Sequence, residues 1–150
     1  MTLAFVPDDG YTEKGYIAPV SGLCPEIRFE FRPTKQLERE QYTEQMRKIS
    51  PGNSSAANHV SCNFLAKKLV SWNLTDSDGN NVPISAEIVG KLKAFVFDRL
   101  FLIVLGNSAS DSDPLADEEF QQRETAIQKL MTEKSLAYAD AAAEIDQKNS

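Results

Sequence analysis

The chain has 150 residues, 41% hydrophobic and 25% charged, a size and balance that suit one folded domain with a real core and exclude wholesale disorder or a fibrous repeat. Its net charge of −6 sits at one end: residues 111–150 hold ten Asp and Glu against four Lys and Arg, whereas residues 1–110 hold twelve of each. A neutral body with an acidic tail repels phosphate backbones, which excludes nucleic acid as a partner.

Residues 1–25 contain Pro7, Gly10, Gly15, Pro19, Gly22 and Pro25, a density of breakers that forbids a long helix and leaves short extended pieces such as Tyr16-Ile17-Ala18. The start has no basic region ahead of its few apolar residues, so it does not read as a secretory signal. A cytosolic, reducing setting is expected. Cys24 and Cys62 then read as buried or half-buried free thiols rather than one disulfide. Glu26 to Arg32 alternate charge and hydrophobe, which places Ile27, Phe29 and Phe31 on one face of a half-buried strand that Pro33 stops.

Thr34 is the expected N-cap of a surface helix running to about Ile49, with Leu37, Tyr42, Met46 and Ile49 as its apolar face. Residues 50–55 form a loop whose serines offer the cap of the next helix. There Ala57, Val60, Phe64, Leu65, Leu69 and Trp72 share one arc at 100° per residue, with His59, Asn63 and Lys67 opposite. Asp76 to Asn81 is a tight turn, and Val82-Pro83-Ile84 a short extended segment. Ser85 and Glu87 start a helix that runs through a nearly all-apolar stretch to Leu105, with Glu87 and Lys91 paired and Gly106 as C-cap. Its most apolar run, Ala94 to Leu105, is interrupted by Asp98 and Arg99 and is too short for a bilayer, which needs about 20 apolar residues.

Residues 107–114 read as a flexible linker, and the Ala-, Glu- and Gln-rich remainder as a peripheral helix with a thin apolar stripe or one that folds on a partner. The expected fold is α+β, mainly α: a short N-terminal β-hairpin or strands followed by three to four helices. Residues 1–106 form the core domain and residues 107–150 the linker and acidic segment.

Few residues offer chemistry. His59 is the sole histidine and falls on a polar helix side, no cysteine or histidine spacing suits zinc, and no glycine loop suits phosphate. Neither a catalytic residue, a cofactor nor a metal is expected. Asp76, Asp78, Asn80 and Glu87 match much of a calcium-loop pattern, which makes a calcium-responsive module an alternative reading. Asn81 and Pro83 break that pattern where a glycine and a pairing backbone N–H belong, so a connector between helices fits better.

Two segments carry a resemblance. Ile27 to Pro33 leading to Glu38, Glu40 and Tyr42, and Lys68-Leu69-Val70-Ser71-Trp72-Asn73-Leu74 with Asp76, Asp78-Gly79, Val82-Pro83-Ile84 and Asp98 to Gly106, resemble small proteins encoded in the tail gene clusters of long-tailed bacteriophages. These are commonly taken as tail assembly chaperones or minor tail proteins, and the resemblance covers about residues 26–106. It implies a mostly helical, non-enzymatic protein in the cytoplasm of an infected or lysogenic host. Such a protein binds the helical tape-measure protein or other tail proteins and keeps them soluble; a small structural tail or connector component is the alternative. The apolar surplus marks Phe97, Phe101 and Val104, with Phe120, Ile127 and Leu130 in the acidic segment, as the residues expected to meet that partner or a second copy of the chain.

Overall fold

The computed structural model describes residues 3–148, and side chains except those of residues 117–120 and 148. The chain divides into two compact units, one ending at Asp111 and the other beginning at Ser112. The fold class is α+β and mainly α.

In the first unit, β1 (Glu13–Ile17), β2 (Ile27–Phe31) and β3 (Leu69–Trp72) form an antiparallel sheet in the order β1-β2-β3. The alternation in β2 is realised: Ile27, Phe29 and Phe31 are buried, and the charged residues between them are half-buried. Gly15 lies opposite Phe29 in the ladder. A Cβ at Gly15 would fall 2.3 Å from the Phe29 ring, so the bare backbone is what lets that buried ring lie flat across β1. The outer edge of β1 is covered by the chain's own residues 110 and 111. Ser110 Oγ accepts from the Tyr16 N–H at 2.6 Å, the Asp111 N–H donates to the Tyr16 carbonyl at 2.9 Å, and Asp111 Oδ2 accepts from the Ala18 N–H at 2.9 Å. Arg99 locks this strap by donating to Ser108 Oγ and Asp111 Oδ1. Residues 108–111 are therefore a fixed edge cover, where a flexible linker was expected.

Four helices complete the unit: α1 (Gln36–Arg47), α2 (Ser54–Lys68), α3 (Ala86–Val89) and α4 (Ala94–Leu105). Several local expectations change. The Thr34 hydroxyl donates to the Val104 carbonyl at 2.8 Å instead of capping α1, whose first turn is closed by the Lys35 N–H donating to Glu38 Oε1. Asn53, not a serine, caps α2 by accepting from the Ala56 N–H. Helix α2 stops at Lys68, and Leu69 and Trp72 belong to a strand. Edge pairing along β2 outcompetes continuation of the helix, and the Asn73 side chain extends the ladder by accepting from the Arg28 N–H and donating to the Glu26 carbonyl. A bulge at Glu30 and Phe31 leaves Val70 as the extra residue on β3.

The helix expected over 86–105 is broken. Short-range bonds from the Lys91 and Leu92 N–H groups tighten the end of α3, and extended Lys93 restarts the chain as α4. The break lets Val89 and the α4 residues Val96, Leu100, Ile103 and Val104 reach one core with the sheet and Leu65 of α2. Glu87 and Lys91 do pair, at 3.5 Å, and Gly106 ends α4 in the left-handed conformation.

The second unit is a helical hairpin of α5 (Pro114–Lys134) and α6 (Tyr138–Lys148). Asp113 caps α5 with Pro114 in the first turn. Ile127, Leu130 and Ala141 form its small core, flanked by a two-pronged Arg123–Asp146 pair at 3.0 and 3.1 Å and by Lys134–Glu144 at 2.7 Å.

Gly15→Ala should force the buried Phe29 ring to shift and lower stability by about 1–3 kcal/mol, read as a lower denaturant midpoint. An unchanged midpoint would contradict the close ring-to-backbone packing.

Candidate functional site

An open cleft of about 1130 Å³ lies between α1 and α2 in the first unit, lined as well by residues of the N-terminal segment and by Arg32 and Pro33. Residues 38, 41, 42, 45 and 48 form the α1 wall, and residues 60, 63, 64, 67 and 68 the α2 wall. Both sets repeat at three and four residues, which is why each presents one continuous helix face. At 1.5 Å per residue the α1 wall is about 15 Å long, roughly three helical turns.

Two contacts set the helices antiparallel. Glu38 near the start of α1 pairs with Lys68 at the end of α2, and the Tyr42 hydroxyl shares a hydrogen bond with Ser61 Oγ at 2.7 Å. Tyr42 and Phe64 line the cleft with rings 4.9 Å apart, centroid to centroid, and behind them Phe101 lies 5.5 Å from Tyr42 and stacks on Phe97 at 5.5 Å. The Lys68 ammonium sits 6.0 Å from the Phe64 ring centre.

Charge is the distinctive property of this cleft. Arg32, Lys35, Lys48, Lys67 and Lys68 line it, against the carboxylates of Asp8 and Glu38. Asp8 pairs with Lys35, and Glu38 with Lys68. Arg32, Lys48 and Lys67 are left exposed, with no carboxylate partner among the described residues. The Lys35 ammonium holds the Asp8 carboxyl below its usual range, and Asp8 raises Lys35 in return. Burial pushes Glu38 upward, but hydrogen bonds from the Lys68 ammonium and the Lys35 N–H, with the charges of both lysines, outweigh it and leave the carboxyl below its ordinary value of 4.5.

The residues expected to face a partner are distributed differently. Phe97 and Phe101 are half-buried in the ring cluster. Val104 is 1% exposed and sealed in the first unit's core. Ile127 is fully buried and Leu130 nearly so, because the thin apolar stripe of α5 is consumed by packing on α6. The Phe120 side chain lies outside the described residues. Large apolar side chains that do reach solvent include Leu37 on α1 and Leu102 on α4, at 68% and 40% exposure.

His59 is exposed on α2, and both cysteines are buried free thiols, with burial raising Cys62. The calcium-like loop is a hairpin turn. Asp76 Oδ1 accepts from the Asp78 and Asn80 N–H groups at 2.9 and 3.0 Å, and Glu87 turns to Lys91. Trp72 is half-buried and donates its indole N–H to the Val82 carbonyl at 2.7 Å, pinning the returning segment. Among the described residues no group of three or more His, Cys, Asp or Glu side chains could hold a metal, and no helix is long and apolar enough to cross a membrane.

No family model, curated protein or solved structure matches the chain. Tyr42, Phe64 and Lys67 are legible in the sequence as helix residues, whereas the cleft they share is not. The one legible signal was the three-and-four spacing on both helices.

Glu38→Gln should lower stability at neutral pH by about 1–2 kcal/mol, since it leaves the buried Lys68 ammonium without its counter-charge. The lowered carboxyl makes the native contribution complete above 4.5 and lost as pH falls through the folded-state value. The gap between the two proteins should therefore close in acid, as measured by unfolding midpoints from pH 7 to pH 3 (roughly the carboxylate range). A gap independent of pH would contradict the pairing.

Proposed function

We propose that this protein is a non-enzymatic tail assembly chaperone of a long-tailed phage or prophage, and that it holds a helical segment of the tape-measure protein in the cleft between α1 and α2. The observation that carries the reading is the form of the cleft: two helix faces about three turns long, lined by the Tyr42 and Phe64 rings. Rings offer large apolar contact area at low entropic cost and accept an amphipathic helix along its apolar stripe. The lining residues supply apolar surface, amides, phenol hydroxyls and fixed charges, groups that suit the holding of a partner helix. The resemblance of residues 26–106 to tail-cluster proteins supplies the identity of the partner.

Co-expression of the full chain with a phage tape-measure protein from the same genome tests this reading. The soluble fraction of the tape-measure protein should rise several-fold and the two should co-purify. Solubility unchanged by the chain would sink the proposal.

A further inference from the structure

We propose that the cleft is selective for acidic partners: its ligand is an amphipathic helix that places apolar side chains on Tyr42 and Phe64 and carboxylates against Arg32, Lys67 and Lys48. This inference rests on the cleft assignment above and adds the chemistry of what the cleft accepts.

The whole chain carries −6, yet the cleft gathers five cations against two carboxylates. Both carboxylates are already committed, Asp8 to Lys35 and Glu38 to Lys68. Those pairs shape the wall, because Lys68 is almost buried and its ammonium is tied down. What the cleft shows to an incoming chain is therefore the uncommitted set, Arg32, Lys48 and Lys67, with no compensating anion among the described residues.

The antiparallel helices put these cations at opposite ends. Lys67 lies in the last turn of α2, level with the start of α1, and Arg32 leads into that same end through Pro33. Lys48 lies just past the end of α1. The lining rings of Tyr42 and Phe64 occupy the middle. A ligand matching this order is apolar at its centre and acidic toward both ends, over about three turns of helix.

An acidic peptide fits better than a nucleic acid. A long polyanion feels the negative field of the whole molecule and gains most from many phosphate contacts along a basic stripe. A short peptide feels chiefly the local cluster, within a screening length of about 8–10 Å, and uses the apolar lining that a phosphate backbone cannot.

Fluorescence anisotropy on the full chain provides the test. The probes are a labelled twelve-residue amphipathic Glu/Leu peptide, its Lys/Leu counterpart and a single-stranded oligonucleotide of similar length. The Glu/Leu peptide should bind at least tenfold more tightly than either of the others and weaken as salt rises. Lys67→Glu and Arg32→Glu alter exposed side chains and should each reduce its affinity five-fold or more, with circular dichroism and the thermal midpoint unchanged. Lys129→Glu, on α5, is the control and should leave binding as it was. Equal binding of the two peptides, tighter binding of the oligonucleotide, or indifference to the cleft variants would each overturn the proposal. None of these results bears on whether the chain solubilises the tape-measure protein, so acid selectivity and the chaperone reading can fail separately.

Discussion

Lys68 is the residue through which the first unit is put together. Helix α2 ends on it and β3 begins at the next residue with no loop between them. Its carbonyl accepts from the Arg32 N–H at 2.8 Å, which carries the β2–β3 ladder one step further, and its ammonium pairs with Glu38 on α1. One position thus fixes a helix to a strand, that strand to the central strand, and a second helix to the first. A nearly buried ammonium is costly unless paired and hydrogen-bonded, so the carboxylate must be there, and α1 is held where it can supply it.

The cleft follows from that constraint. With α2 anchored to the sheet at one end and α1 drawn across it by Glu38 and Tyr42, the facing sides frame a trough lined by the Tyr42 and Phe64 rings. The broken α3–α4 segment backs these rings: Val96, Leu100, Ile103 and Val104 are sealed into the core, while Phe101 packs against Tyr42 and Phe64 and Phe97 stacks on Phe101. The apolar surplus of this region is therefore mostly structural. Its aromatic edge supports the cleft from behind, through Phe101.

Sequence alone reached part of this. Period-two alternation over residues 27–31 was decisive because only one register buries Ile27, Phe29 and Phe31. The turn at residues 76–81 and the Gly106 cap rest on local backbone chemistry, and both appear as expected. The limit of α2 was not legible, since Leu69 and Trp72 suit a helical arc and a strand face equally, and the deciding partner, β2, lies some forty residues away. The break at residues 90–93 and the burial of Val104, Ile127 and Leu130 were hidden for the same reason: each depends on what packs against it. The cleft was the least legible feature, because its lining comes from four separate stretches of chain and its charge shows only once Asp8 and Glu38 are seen to be spent on lysines.

The central claim is that the trough between α1 and α2 is where a partner helix is held. Hydrogen–deuterium exchange of the full chain, alone and with the proposed tape-measure partner added, tests it most directly. Slowed exchange should be confined largely to residues 38–48 and 60–68. Protection elsewhere, with those two stretches exchanging as fast in the complex as in the free chain, would contradict it.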